Sequence, residues 1–118
     1  MSHHGNNPER IADHVRVNTY HTGLFAKFLA RLRSVGDGEG SLLDHSLIVY
    51  GSGMSNGNGH TPYPLPLIMA GGCAGQVKGN GHIVAPEHSP NANLMLSVAD
   101  KFGLELNRFG ASTGRLGL

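Results

Sequence analysis

The chain has little of several things that would narrow its chemistry. Among 118 residues there is one cysteine, no tryptophan, and only 6% aromatic and 14% charged residues. With Cys73 alone, an internal disulfide and a zinc centre built from several thiolates are both excluded. A formal net charge of +1 gives no electrostatic footprint for nucleic acid or for an acidic surface. No apolar run is long enough to cross a bilayer. Met1 leads straight into Ser-His-His-Gly-Asn-Asn-Pro, so no export signal is visible. That opening reads as an entry into the middle of a longer chain.

Glycine and histidine are plentiful. Eighteen glycines point to many loops and close backbone approaches. Eight histidines raise metal ligation or proton transfer, although two of them simply stand together at the start. The length suits one domain, 1–118, with two apolar runs at its centre, Ser46–Tyr50 and Leu65–Ala70. Each has the length of a buried strand. The glycine- and asparagine-rich stretch Gly51–Pro64 joins them and carries His60. In open α/β sheets, sites form where loops leave the carboxyl ends of strands, so chemistry is expected there.

Around this centre the pattern predicts a helix from Pro8 to Ser34, bent near Asn18–Thr22. Its opening proline and Glu9 suit a first turn, and Ile11, Val15, Leu24, Phe25, Phe28, Leu29 and Leu32 recur at helical spacing. Gly36–Gly40 reads as an exposed loop, and Asp44-His45 as a pair that caps or bonds a turn. Strands are expected at Leu47–Tyr50 and Leu65–Ala70, and a hairpin over Gln76–Val84 turning at Gly79-Asn-Gly81. A last helix, Asn91–Phe102, would be capped by Ser89 or Asn91 and stopped by Gly103. The alternation is α/β in character, with too few strands to close a core.

The glycine loop is not a nucleotide cradle. Gly51-Ser-Gly53-Met-Ser-Asn56 lacks the third glycine of the dinucleotide fingerprint, and Pro62, Pro64 and Pro66 prevent a following helix. His60 stands before a proline-stiffened entry into a strand, which suits a rigidly held ligand or acid/base; a histidine capping a surface loop is the competing explanation. Of His3 and His4, adjacent on an extended lead, one would face a site and the other solvent, unless that lead is simply a loose terminus. His14 and His21 share a helix face and suit packing at its edge. His82, Glu87 and His88 compose a zinc-like set without diagnostic spacing. Cys73 suits a small residue in a turn.

With those residues in view, the chain resembles the C-terminal part of the bacterial HXXSHH-motif family, a domain family of unknown function. The matching segments are Ser-His-His-Gly-Asn-Asn-Pro at 2–8, Asn-x-Tyr-His at 18–21 and the run from Leu42 to His60. Leu-Pro-Leu-Ile-Met-Ala-Gly-Gly at 65–72, Asn-Leu-Met-Leu-Ser at 93–97 and Arg-Phe-Gly-Ala-Ser-Thr-Gly-Arg-Leu at 108–116 continue it. Met1 stands where the signature would continue toward its first histidine, and family members are several times longer. The resemblance therefore implies a C-terminal fragment of an exported parent.

That family in turn resembles the alkaline phosphatase and sulfatase superfamily. The likeness implies a partial three-layer α/β sheet with flanking helices, and a hydrolase ancestry acting on an unidentified small-molecule or polymer substrate. His60-Thr-Pro-Tyr-Pro-Leu-Pro looks like a segment that supplies a metal ligand there. The implied ligands are His60, with His3 and His4 joining or supporting it, and zinc is the divalent ion best suited to them. Gly53-Met54 departs from the pattern, standing where an aspartate and a histidine would be, and so favours the alternative of a non-catalytic binding or assembly domain. Neither nucleic acid nor a membrane span is expected as a partner, and a homo-oligomer would cover the open sheet edges.

Overall fold

A computed structural model of the chain describes residues 2–118. Helix α1 spans Pro8–Ser34. Asn7 starts it: the side-chain oxygen accepts from the amides of Glu9 and Arg10 at 3.0 and 3.1 Å, and Pro8 has no amide to leave unpaired. The helix runs without a break through residues 18–22, where the Thr19 and Thr22 hydroxyls bond back to the Val15 and Asn18 carbonyls.

Two small elements replace the loop expected after α1. Strands β1 (Gly36–Asp37) and β2 (Gly40–Ser41) pair antiparallel across Gly38-Glu39, with Gly38 at φ +58°. A glycine of positive φ at the first loop position suits a tight hairpin. Helix α2, Leu42–His45, follows within a capping box: Ser41 Oγ accepts from the Asp44 amide, and Asp44 Oδ2 accepts from the Ser41 amide at 2.9 Å. His45 Nδ1 lies 2.9 Å from Asp37 Oδ2. Asp44 and His45 thus cap and bond this turn.

Strands β3 (Ile48–Gly51) and β4 (Leu67–Ala70) pair antiparallel, with Ile48 opposite Ala70 and Gly51 opposite Leu67. β4 starts two residues later than its apolar run because Pro64 and Pro66 have no amide to give a ladder. Two two-stranded antiparallel sheets with three helices make the chain mixed α/β. The stretch Gln76–Val84 forms no hairpin; Asn80 takes φ +66°, yet Val84 is 80% exposed, so no apolar face exists to hold two arms together. Helix α3, Asn91–Lys101, begins after Pro90 without a side-chain cap and ends before Gly103 at φ +72°. Ser89 Oγ instead accepts from Asn93 Nδ2.

Packing is sparse. Among the described residues, Leu43, Cys73, Leu94 and Leu96 are the buried apolar ones, and α1 buries none of its own. Phe25 of α1 stacks on Tyr50 of β3 with ring centres 4.3 Å apart. The surface is 8454 Å², where a compact monomer of this mass would expose about 6,100 Å². The radius of gyration is 16.6 Å, against about 13.5 Å for a compact domain of this length. Extents of 49 × 37 × 21 Å describe a slab with room for two layers. Among the described residues, no helix is long and apolar enough to cross a membrane.

Candidate functional site

The loop between β3 and β4 is held as a small pinned arch. The Ser55 amide donates to the Thr61 carbonyl at 2.9 Å, and the Thr61 amide to the Asn56 carbonyl at 3.0 Å. Inside that bridge, Asn56 Oδ1 accepts from the Asn58 and Gly59 amides at 2.9 and 3.0 Å, an Asx turn that tightens the tip. His60 closes the arch with φ +52°. A side chain in that left-handed region costs about 1–2 kcal/mol relative to helical or extended backbone. Strain of this kind gathers at functional positions, and here it falls on the histidine singled out by its sequence context.

The N-terminal lead docks on this arch across more than fifty residues of chain. The Gly5 amide donates to Asn58 Oδ1 at 2.7 Å. Ser2 lies so close to Gly57 that a side chain there would meet the Ser2 Cβ at 2.9 Å. The docking brings His3 edge-on to His60, with ring centres 5.0 Å apart. His4 turns away into its own loop, its Nδ1 accepting from the Asn6 amide at 3.0 Å. Of the two adjacent histidines, His3 therefore faces the arch. On the loop's other side, Tyr63 meets His88 edge-on at 5.7 Å, and His88 also takes positive φ, +60°.

These side chains remain open to solvent. Concavities of about 290 and 530 Å³ lie between α3 and the tail and along α1, and neither includes His3 or His60 in its lining. Among the described residues, no three of His, Cys, Asp and Glu come together as a group able to hold a metal ion. His3 and His60 offer two nitrogen ligands of a kind that suits zinc better than calcium or magnesium. A catalytic zinc centre takes three protein ligands, so the pair fits that role only in part. Glu87 and His88 stand 3.6 Å apart and well exposed, and His82 joins no three-ligand group with them.

Two serines stand in short glycine-framed segments. Gly53-Met-Ser55-Asn-Gly57 and Gly110-Ala-Ser112-Thr-Gly114 both read as G-x-S-x-G. Neither is a nucleophile elbow, since neither serine stands on a strand-to-helix turn. Ser112 Oγ is taken by the Phe109 amide at 2.9 Å. Cys73, buried and at φ +47°, sits in a turn whose amides are fixed on α2 and its exit: Gly72 on the Leu43 carbonyl, Cys73 on Ser46 and Ala74 on Asp44.

The perturbed acids lie away from the arch. Hydrogen bonds from the Ser41 hydroxyl, then from its amide, hold Asp44 below the usual aspartate range. The Arg115 guanidinium does the same for Asp100. Both are capping or clasping groups in character. Scanned against protein-family models the chain matches none, and searches of curated proteins and of solved structures find no match.

Proposed function

We propose that the β3–β4 arch is half of a divalent-metal site in a hydrolase-like domain of the alkaline phosphatase and sulfatase type, related to the HXXSHH-motif proteins. His60 and His3 are its two imidazole ligands, and His4 supports the lead that carries His3. The observation that carries this reading is the 5.0 Å approach of His3 to a strained His60, fixed by the Gly5–Asn58 hydrogen bond. Two imidazoles alone do not place an attacking group, so further ligands would come from another part of a larger layered sheet. The slab's thickness and the open outer edges of β3 and β4 leave room for that layer. An exported parent would meet its substrate outside the cytoplasm.

Zinc titration by calorimetry tests the reading directly. The chain should bind one zinc ion weakly, and His60→Ala and His3→Ala should each abolish binding while His4→Ala retains it. Binding that survives both His60→Ala and His3→Ala would overturn the assignment, as would no binding at all.

A second reading rests on Gly53-Met54, where Met54 is a solvent-exposed thioether at the mouth of the loop. Neither residue offers a carboxylate or an imidazole to a borderline cation. On this reading the chain is a non-catalytic binding or assembly domain that kept the fold. A metal-free protein whose stability is unchanged by His60→Ala would favour it.

A further inference from the structure

Helix α1 carries an outward apolar flank that is left largely exposed among the described residues. Tyr20, Leu24 and Phe28 follow one another at four-residue steps and are 65%, 43% and 48% exposed. Residues 13, 17, 20, 24, 27 and 31 share this side, because their separations alternate between four and three. Their order is Asp13, Val17, Tyr20, Leu24, Lys27 and Arg31: an acid at one end, two bases at the other and three apolar groups between, so that reversal sets the aliphatic stem of Lys27 along Val17.

That order is self-complementary only when reversed. We propose that α1 pairs antiparallel with α1 of a second copy of this chain, along Val17, Tyr20 and Leu24. Tyr20 of each copy then packs on Leu24 of the other, and Asp13 of each stands opposite the other's Arg31. A parallel pair would instead set Asp13 beside Asp13 and Arg31 beside Arg31. Among the described residues Asp13 pairs only with Arg16, at 2.7 Å on an open surface, a pair too exposed to resist exchange. Arg31 has no ion-pair partner among the described residues.

Area supports a lasting contact. The chain exposes about 2,300 Å² more than a compact monomer of its mass, while a standard interface needs about 800 Å² from each partner. The 27-residue helix, about 40 Å long, is the longest continuous element on which that area can be matched. This pairing rests on α1 alone and is independent of the histidine arch.

Light scattering coupled to size exclusion tests it, with sedimentation giving the dissociation constant. The chain should run at about twice 12.4 kDa. Asp13→Arg and Arg31→Asp should each weaken the dimer at least about tenfold, by setting like charges opposite one another twice per dimer. The double variant Asp13→Arg with Arg31→Asp should restore it to within about threefold. Both charged positions are on the helix surface, and circular dichroism checks that the helix persists. A monomer at every concentration, or a dimer that the single variants leave intact or the double variant fails to restore, overturns the proposal.

Discussion

Replacing Asn93 with alanine should loosen the C-terminal tail from α3 before it unfolds anything else. Asn93 is buried, and its carboxamide is shared between two segments twenty residues apart. Oδ1 accepts from the Thr113 amide at 2.8 Å and the Gly114 amide at 3.3 Å, while Nδ2 donates to Ser89 Oγ and Thr113 Oγ1. One helical turn on, the Leu116 amide donates to Ser97 Oγ at 2.8 Å, so the tail is stitched at two successive turns. Asn93→Ala leaves the Thr113 and Gly114 amides without their acceptor, at about 1–3 kcal/mol for a poorly solvated group. Loss of the two donor bonds adds about 1 kcal/mol, and the better helix propensity of alanine returns about 0.7 kcal/mol.

A net of about 1.3–3.3 kcal/mol corresponds to about 10- to 270-fold faster exchange of tail amides. Hydrogen exchange read by NMR at Thr113, Gly114 and Leu116 measures it residue by residue. Asn93→Asp keeps the acceptor and adds a favourable charge in the first turn of α3, so acceleration below about tenfold is expected. Equal rates in Asn93→Ala and the parent chain would refute the clasp, as would a uniform change across all helices.

Gly71→Ala should destabilise by at least about 2 kcal/mol, since Gly71 sits at φ +105° and a Cβ would collide with the Ser46 carbonyl oxygen. Gly79→Ala, with open space around it, should stay within about 0.5 kcal/mol in the same urea titration. Acid should weaken the fold through Asp44 and Asp100. Both are held below the ordinary 3.8, so their stabilising bonds are fully present above that value and fade as pH falls through the lower folded-state values. Asp44→Asn and Asp100→Asn should each flatten the acid limb of a stability–pH curve; an unchanged limb in both would contradict the assignment. His60→Gly should leave stability within about 1 kcal/mol, because relief of the left-handed backbone offsets the added freedom of the unfolded chain. Thermal melts beside zinc titrations would show the expected split between retained stability and lost binding.

Some of this architecture was legible before any coordinates. Pro8 with Glu9 behind it marks the start of α1, because proline has no amide for a helix start to leave open and a carboxylate meets the positive end of the dipole; the Asn7 cap emerges only in the fold. Gly103 marks the end of α3 by taking a backbone conformation other residues resist. Local chemistry of this kind is written within a few residues. Ser41-x-x-Asp44 carried the same signal for α2, but with only four helical residues there is no periodicity to draw attention to it. Gln76–Val84 shows the converse error: a turn sequence predicts a hairpin only if its arms have something to bury, and Val84 faces solvent. The meeting of His3 with His60 depends on Asn58 catching the Gly5 amide, a long-range bond that no local spacing encodes. The Asn93 clasp is hidden for the same reason.

Cys73 gives the molecule an internal reporter. It is the only thiol, it is 3% exposed, and the turn that holds it hangs on three carbonyls of α2 and its exit. A soluble disulfide reagent can reach the sulfur only when that turn lifts, so the labelling rate counts openings at the junction between α2 and β4. Because β4 leads directly into the turn, a substitution that loosens the pairing of β3 with β4 would be read as faster thiol capture. One native side chain thereby converts a local opening into a rate, without a chromophore or an added tag.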